Sequence, residues 1–163
     1  MSIGKRIGAF ISGISGISRS GTTAPTGTST PGPPPGPTYA PERDGEPDPG
    51  EVVWAWVPYE DDPSQGKDRP VLVLDTAGDG EADGWVGLML SSQDHDRDAA
   101  DEARWGRYWM DVGTGGWDSQ GRPSEVRLDR LIHLERGAVR REGAALDETI
   151  FTAVVEARRG LSQ

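Results

Sequence analysis

The chain of 163 residues has no cysteine. That excludes disulfides, thiol nucleophiles and zinc–thiolate sites together and leaves the compartment open. Histidine is scarce too, with only His95 and His133. No run approaches the roughly 18 apolar residues that a membrane-crossing helix needs. Between Arg19 and Gly50 large apolar side chains are almost missing; nine of the 13 prolines lie before Glu51, set among Gly, Ser and Thr. Such a stretch buries too little apolar surface to offset the entropy of ordering it, so residues 1–47 are expected to form a disordered Pro/Gly/Ser/Thr-rich tail. At its start Lys5-Arg6 precedes Ile7-Gly8-Ala9-Phe10-Ile11. Gly and Ser interrupt the apolar stretch and no small-x-small cleavage site follows, so a signal peptide is not expected. A short amphipathic helix with Ile3, Ile7, Phe10, Ile11, Ile14 and Ile17 near one face is the alternative to plain disorder. A cytoplasmic protein is expected.

Residues 48–160 remain for a folded body, enough for one core and small enough to gain from a partner subunit. The net charge of −10 lies wholly after Asp48, because Lys5, Arg6, Arg19 and Arg43 balance Glu42, Asp44, Glu46 and Asp48. An acidic body repels nucleic acid at long range, so an RNA site here has to be a local basic pocket.

Within the body, Glu51–Pro58 is rich in β-branched and aromatic residues between Pro49-Gly50 and Pro58, and predicts a strand. Val71-Leu72-Val73-Leu74-Asp75 is a continuous apolar run, as in a strand buried on both faces. An acidic turn, Gly78 to Gly84, returns the chain into Trp85–Leu90 to make a long hairpin. The turn does not match a calcium-loop pattern and reads as a solvated tip. Asp94 to Arg104 predicts a loop or a short surface helix, and Arg107–Val112 another strand. Ser124–Leu134 alternates at first, with Val126 and Leu128 expected inward and Arg127 and Asp129 outward. Its period slips at Leu131-Ile132, a sign of a bulge or bend. Asp147 suits an N-cap for a last helix with Ile150, Val154 and Val155 on its apolar stripe, and Leu146 with Phe151 as a hydrophobic staple. Short curved strands closed by one helix predict a mainly β small barrel.

Three patterns along this body carry a family resemblance. Pro49-Gly50-Glu51-Val52-Val53-Trp54, followed by Gln65-Gly66-Lys67-Asp68-Arg69-Pro70-Val71-Leu72-Val73-Leu74, resembles the opening of the PemK/MazF toxins of type II toxin–antitoxin systems. Leu90-Ser91-Ser92-Gln93 is similar to the family's Thr-Thr-Gln corner, and Val126–Leu131 to its later Val-x-x-Asp strand. The resemblance implies an SH3-like barrel with a C-terminal helix, usually a homodimer. It implies cleavage of single-stranded RNA, a cognate antitoxin that occupies the RNA groove, and DNA binding by the toxin–antitoxin complex. No metal or cofactor is implied. Arg69 matches the catalytic arginine and Ser91 the hydroxyl residue of the corner, while Gln65, Lys67, Ser92, Gln93, Arg127 and Arg130 are placed as RNA contacts. The spacing between Gln65 and Gly66 is one residue short of the family's, Ser stands for Thr at the corner, and Asp94-His95-Asp96-Arg97-Asp98 is acidic for an RNA-facing loop.

The chemistry asks little of a protein. RNA cleaves itself once the 2′-hydroxyl is deprotonated, the phosphate is charge-stabilised and the 5′-oxygen is protonated. Arg69 could clamp the transition-state phosphate through its guanidinium fork, with Ser91 donating to a nonbridging oxygen. The plainer reading pairs Arg69 with Asp68 or Asp129, makes Ser91 a strand-end hydroxyl bonded to backbone, and puts Arg127 and Arg130 in cross-strand ion pairs. His95 reads as a surface residue, His133 as structural and Arg140-Arg141 as solvated. A degenerate barrel serving as a protein-binding module is the alternative function, motivated by the acidic body and loop.

Overall fold

The structure, a computed structural model, describes residues 36–78 and 83–162. The candidate amphipathic helix and most of the expected tail lie outside the described residues, as do residues 79–82 of the acidic turn. The described chain forms β1 (Glu51–Pro58), β2 (Gly66–Thr76), β3 (Trp85–Ser91), α1 (Ala99–Arg104), β4 (Trp109–Gly113), β5 (Ser124–Arg127), β6 (Ile132–Leu134), β7 (Val139–Ala145) and α2 (Glu148–Leu161). The strands are antiparallel in the order β4-β5-β3-β2-β1-β7, with β6 beside β3.

Register shifts interrupt the ladders between Val73 and Asp75, between Asp111 and Gly113, and twice along β1 and β7. Each shift adds twist and bends its strand. The sheet therefore curls into a half-barrel, and the expected mainly β, SH3-like barrel with a C-terminal helix is the architecture observed.

The run Val71–Leu74 shows why β2 reads as apolar throughout. Leu72 and Leu74 join Val52, Leu88 and Leu90 on one face, where Phe151 and Val154 of α2 complete the core. Val71 and Val73 join Val53, Ala55 and Met89 on the other, covered by Ile132 and Leu134 of β6. Each fully buried Val or Leu contributes about 1.5–3 kcal/mol, so a curled sheet with both faces covered gains twice from one strand.

The helix begins as its sequence predicts. The Asp147 carboxylate accepts hydrogen bonds from the Thr149 and Ile150 amides at 2.9 and 3.3 Å, and Leu146 and Phe151 sit in one cluster. Near its other end, Arg158 donates to the Leu128 carbonyl at 2.7 Å, tying α2 to the segment after β5.

Four features differ from expectation. Packing begins upstream of Asp48: the Tyr39 ring lies 5.5 Å from that of Phe151, and its hydroxyl donates to the Leu146 carbonyl at 2.7 Å. Gly50, at φ 99°, leaves room for that ring where a Cβ would overlap it. Strand β7, in a sequence with little apolar periodicity, pairs with the edge of β1. A new strand, β6, starts at Ile132, where the period slips, but β5 ends earlier than expected, at Arg127, with Leu128 N–H turned to the Tyr108 carbonyl at 2.8 Å. Finally, every residue of β5 is buried, Arg127 included at 5% exposure, so the outward orientation expected of Arg127 is corrected.

Candidate active site

Arg69 lies in β2 opposite Ala55 of β1, and Ser91 is the last residue of β3, opposite Glu125 of β5. The bend of the sheet brings both onto one groove of about 300 Å³, together with Trp54, Lys67, Ser92 and Gln93. Of the six residues expected to touch RNA, Lys67, Ser92 and Gln93 line this groove, and Arg130 lines a neighbouring hollow that Arg69 shares.

The floor of the groove is aromatic. Trp54 Nε1 donates to the Trp117 carbonyl at 2.8 Å, and Trp117 Nε1 to Ser124 Oγ at 3.1 Å. Trp117, a loop residue by sequence, is only 3% exposed. Gly115 makes this placement possible, since a Cβ there would overlap the indole. One wall carries the Asp118–Arg122 pair at 2.8 Å. Hydrogen bonds from the Arg122 side chain and the Gln120 amide hold the Asp118 carboxyl below its usual range.

Ser91 is buried, and its Oγ accepts the Gln93 amide at 3.2 Å. That bond orients the hydroxyl and closes the corner. Its own proton has no acceptor among the described residues. Arg69 is half-buried and forms no ion pair among the described residues. Both carboxylates that could have taken it are engaged elsewhere: Asp68 with Arg140 at 3.5 Å, and Asp129 with Arg127 at 2.8 Å. Burial pushes the Arg69 pKa down, with the Tyr59 phenol opposing and the Arg130 charge adding to the fall. A partly desolvated cation with unused donors is poised to gain from an arriving anion.

Arg127 and Gln65 are placed otherwise. Arg127 gives its donors to Glu60 at 2.8 and 2.9 Å and to Asp129 at 2.8 and 3.1 Å. Burial works against its charge, but the bonds to Asp129 and Glu60 outweigh it and raise the pKa. Four of its five N–H groups are taken by these two carboxylates, and it acts as an anchor for the β1–β2 loop. Gln65 points its amide to Asp62 at 2.9 Å inside that loop and does not line the groove.

His95, expected as a plain surface residue, is held on two sides. Its amide and Nδ1 both meet Glu125 Oε2, at 3.1 and 2.6 Å, and its ring stacks on Trp109 at 3.8 Å. Nothing in the local sequence signals this, because Glu125 and Trp109 arrive from other strands. His133 is exposed on β6. Among the described residues, only Asp94, Asp96 and Glu125 bring carboxylate oxygens close enough to share a cation, within 4.8 Å of one another. Two of these are exposed and Glu125 already serves His95.

A free guanidinium and an oriented hydroxyl on one groove can stabilise negative charge that develops on a tetrahedral or pentacoordinate centre between them. No curated relative matches the chain. The family model of the PemK-like, MazF-like toxins of type II toxin–antitoxin systems matches residues 48–159, which include both strands of this groove, and the chain belongs to that family.

Proposed function

We propose that the protein is a toxin endoribonuclease that cleaves single-stranded RNA by attack of a ribose 2′-oxygen on the adjacent phosphorus. In that reaction the P–O2′ bond forms and the P–O5′ bond breaks. The 2′-proton leaves, a proton arrives on the 5′-oxygen, and the products are a 2′,3′-cyclic phosphate and a 5′-hydroxyl. Arg69 supplies positive charge to the nonbridging oxygens of the phosphorane, and Ser91 donates a hydrogen bond to one of them. Lys67, Ser92 and Gln93 position the strand along the groove.

The observation that carries this reading is the Arg69 guanidinium, half-buried, without a carboxylate partner among the described residues, on the same groove as Ser91. The family supports it, since the chain matches PemK-like, MazF-like toxins over 48–159. A homodimer, a cognate antitoxin covering the groove, DNA binding by that complex and a cytoplasmic location belong to the same proposal. Exposed Trp56, Trp105 and Tyr108 offer apolar surface for such association. Among the described residues no helix is long and apolar enough to cross a membrane.

The test is cleavage of single-stranded RNA by purified full chain in EDTA, with end-group analysis. Arg69→Ala is expected to abolish the activity and relieve the growth arrest that induced expression causes. Equal cleavage by the variant removes the assignment, and a wild type that neither cleaves RNA nor slows growth favours a binding module built on the same barrel.

A further inference from the structure

Arg69 also borders a second hollow. This one, of about 280 Å³, is lined by Tyr59, Glu60, Asp61, Arg107, Arg127 and Arg130 besides Arg69 itself. Four guanidinium groups round one small hollow run against the sign of a chain with net charge −10. Two carboxylates, Glu60 and Asp61, stand against those four cations, so the lining keeps an excess of positive charge.

Only part of that charge is met from within. Arg127 is satisfied by Glu60 and Asp129. Arg130 gives one bond to the Pro58 carbonyl at 2.8 Å, and the Arg107 side chain reaches Glu102 only at 3.5 Å. A guanidinium has five N–H donors, so Arg69, Arg107 and Arg130 keep most of theirs unused among the described residues. Glu60 feels the same cluster. Its carboxyl is held below the usual range first by the hydrogen bond from Arg127, against the opposing effect of burial, and then by the charges of Arg127, Arg130 and Arg107.

We infer that this hollow is a second phosphate subsite, in which Arg69, Arg107 and Arg130 hold the RNA phosphate next to the scissile one, and that Glu60 competes for the same guanidinium cluster. The inference rests on the RNA-cleaving reading of the groove. A phosphodiester offers two charged oxygens to several convergent forks, and Tyr59 adds an aromatic wall of the kind on which a base stacks. Because Arg69 borders both hollows, neighbouring phosphates of one strand can be held on its two sides. A peptide carboxylate could meet the same forks and the hollow also has Val57, Pro58 and Met89 in its lining, so the Tyr59 ring, as a stacking surface, is what favours the nucleotide strand.

Binding is measured on the full chain with a short fluorescent single-stranded RNA made uncleavable by 2′-O-methyl groups, titrated over a range of KCl. Arg130→Met and Arg107→Met are each expected to weaken binding about tenfold. Each is also expected to flatten the log–log salt dependence by about 0.7, since one phosphate is no longer neutralised, alike for RNAs of different sequence. Glu60→Gln is expected to do the reverse and tighten binding. Arg130 also bonds Pro58, so Arg107→Met, whose side chain pairs only with Glu102 among the described residues, guards against a folding defect. Unchanged affinity and salt slope in both arginine variants, or weaker binding by Glu60→Gln, overturns the inference. So does loss of binding to poly-L-glutamate with RNA binding intact, which assigns the hollow to a protein partner. A wild type that cleaves unmodified RNA while the arginine variants bind as it does sinks the subsite alone. A wild type that binds through these arginines but cleaves nothing sinks the nuclease alone.

Discussion

Arg127 and Glu60, 67 residues apart in the chain, meet side by side, Nη1 on Oε2 at 2.8 Å and Nη2 on Oε1 at 2.9 Å. The pair pins the β1–β2 loop to β5, and Asp129 closes it from behind at 2.8 Å. Arg127→Met leaves Asp129 without its cation in a half-buried position, while Glu60, 45% exposed, can turn to water. We expect a loss of about 2–3 kcal/mol in urea unfolding, below the range for breaking a wholly buried pair because one partner is exposed. A loss under about 0.5 kcal/mol would make this an ordinary surface pair.

The same pair sets a response to acid. Glu60 is held below its usual range by the Arg127 hydrogen bond, and Asp129, despite opposing burial, by bonds from Arg127 and the Tyr108 amide. Groups with depressed folded pKa values bind fewer protons folded than unfolded near their titration. Their stabilisation is therefore present above the unfolded carboxylate range of about 4 and is lost as pH falls through the folded values. The stability gap between wild type and Arg127→Met should narrow from neutral pH to about pH 3. An unchanged gap in urea unfolding at the two pH values would trace the anchoring to something other than these carboxylates.

Arg69→Ala should lower the cleavage rate about a hundredfold or more without lowering the melting temperature, since the guanidinium has no ion pair to lose among the described residues. Arg69→Lys should not restore the rate, because a point charge cannot replace the fork. A variant that melts early as it loses activity would point to a structural role.

Ser91→Ala should slow cleavage about a hundredfold if the hydroxyl donates to the transition state, with Ser91→Thr keeping most of the rate. The alanine change also removes the acceptor of the Gln93 amide, at a stability cost of about 1 kcal/mol. An unaffected rate in single-turnover assays would leave Ser91 as a corner residue.

Tyr39 tests where the folded body begins. Tyr39→Phe deletes the bond to Leu146 and should cost about 1 kcal/mol in thermal or urea unfolding. Tyr39→Ala also removes the packing against Phe151 and should cost about 2 kcal/mol or more. Neither ring lines the groove, so RNA cleavage should persist in both variants. Wild-type stability in Tyr39→Ala would return the segment to the tail.

The central hairpin is legible in the sequence because β-branched runs bounded by Pro and Gly leave few alternatives, and β2 announces its two buried faces by its lack of alternation. The cap at Asp147 is legible for the same local reason. Strand β7 is not, since Val139–Ala145 carries no apolar period and owes its strand to the free edge of β1. Arg127 escapes a local reading because alternation assumes one wet face, whereas β3, β4 and the Glu60 loop enclose β5.

Residue order alone determined the central hairpin, the helix cap, the family pattern and the presence of an arginine and a serine on two neighbouring strands. Only the tertiary structure decided which charges were already taken. Asp68 and Asp129 are close to Arg69 in motif or expected register, yet Arg140 and Arg127 reach them instead. The freedom of one guanidinium is a property of every other cation and anion within a few ångströms, and those neighbours are assembled from distant parts of the chain.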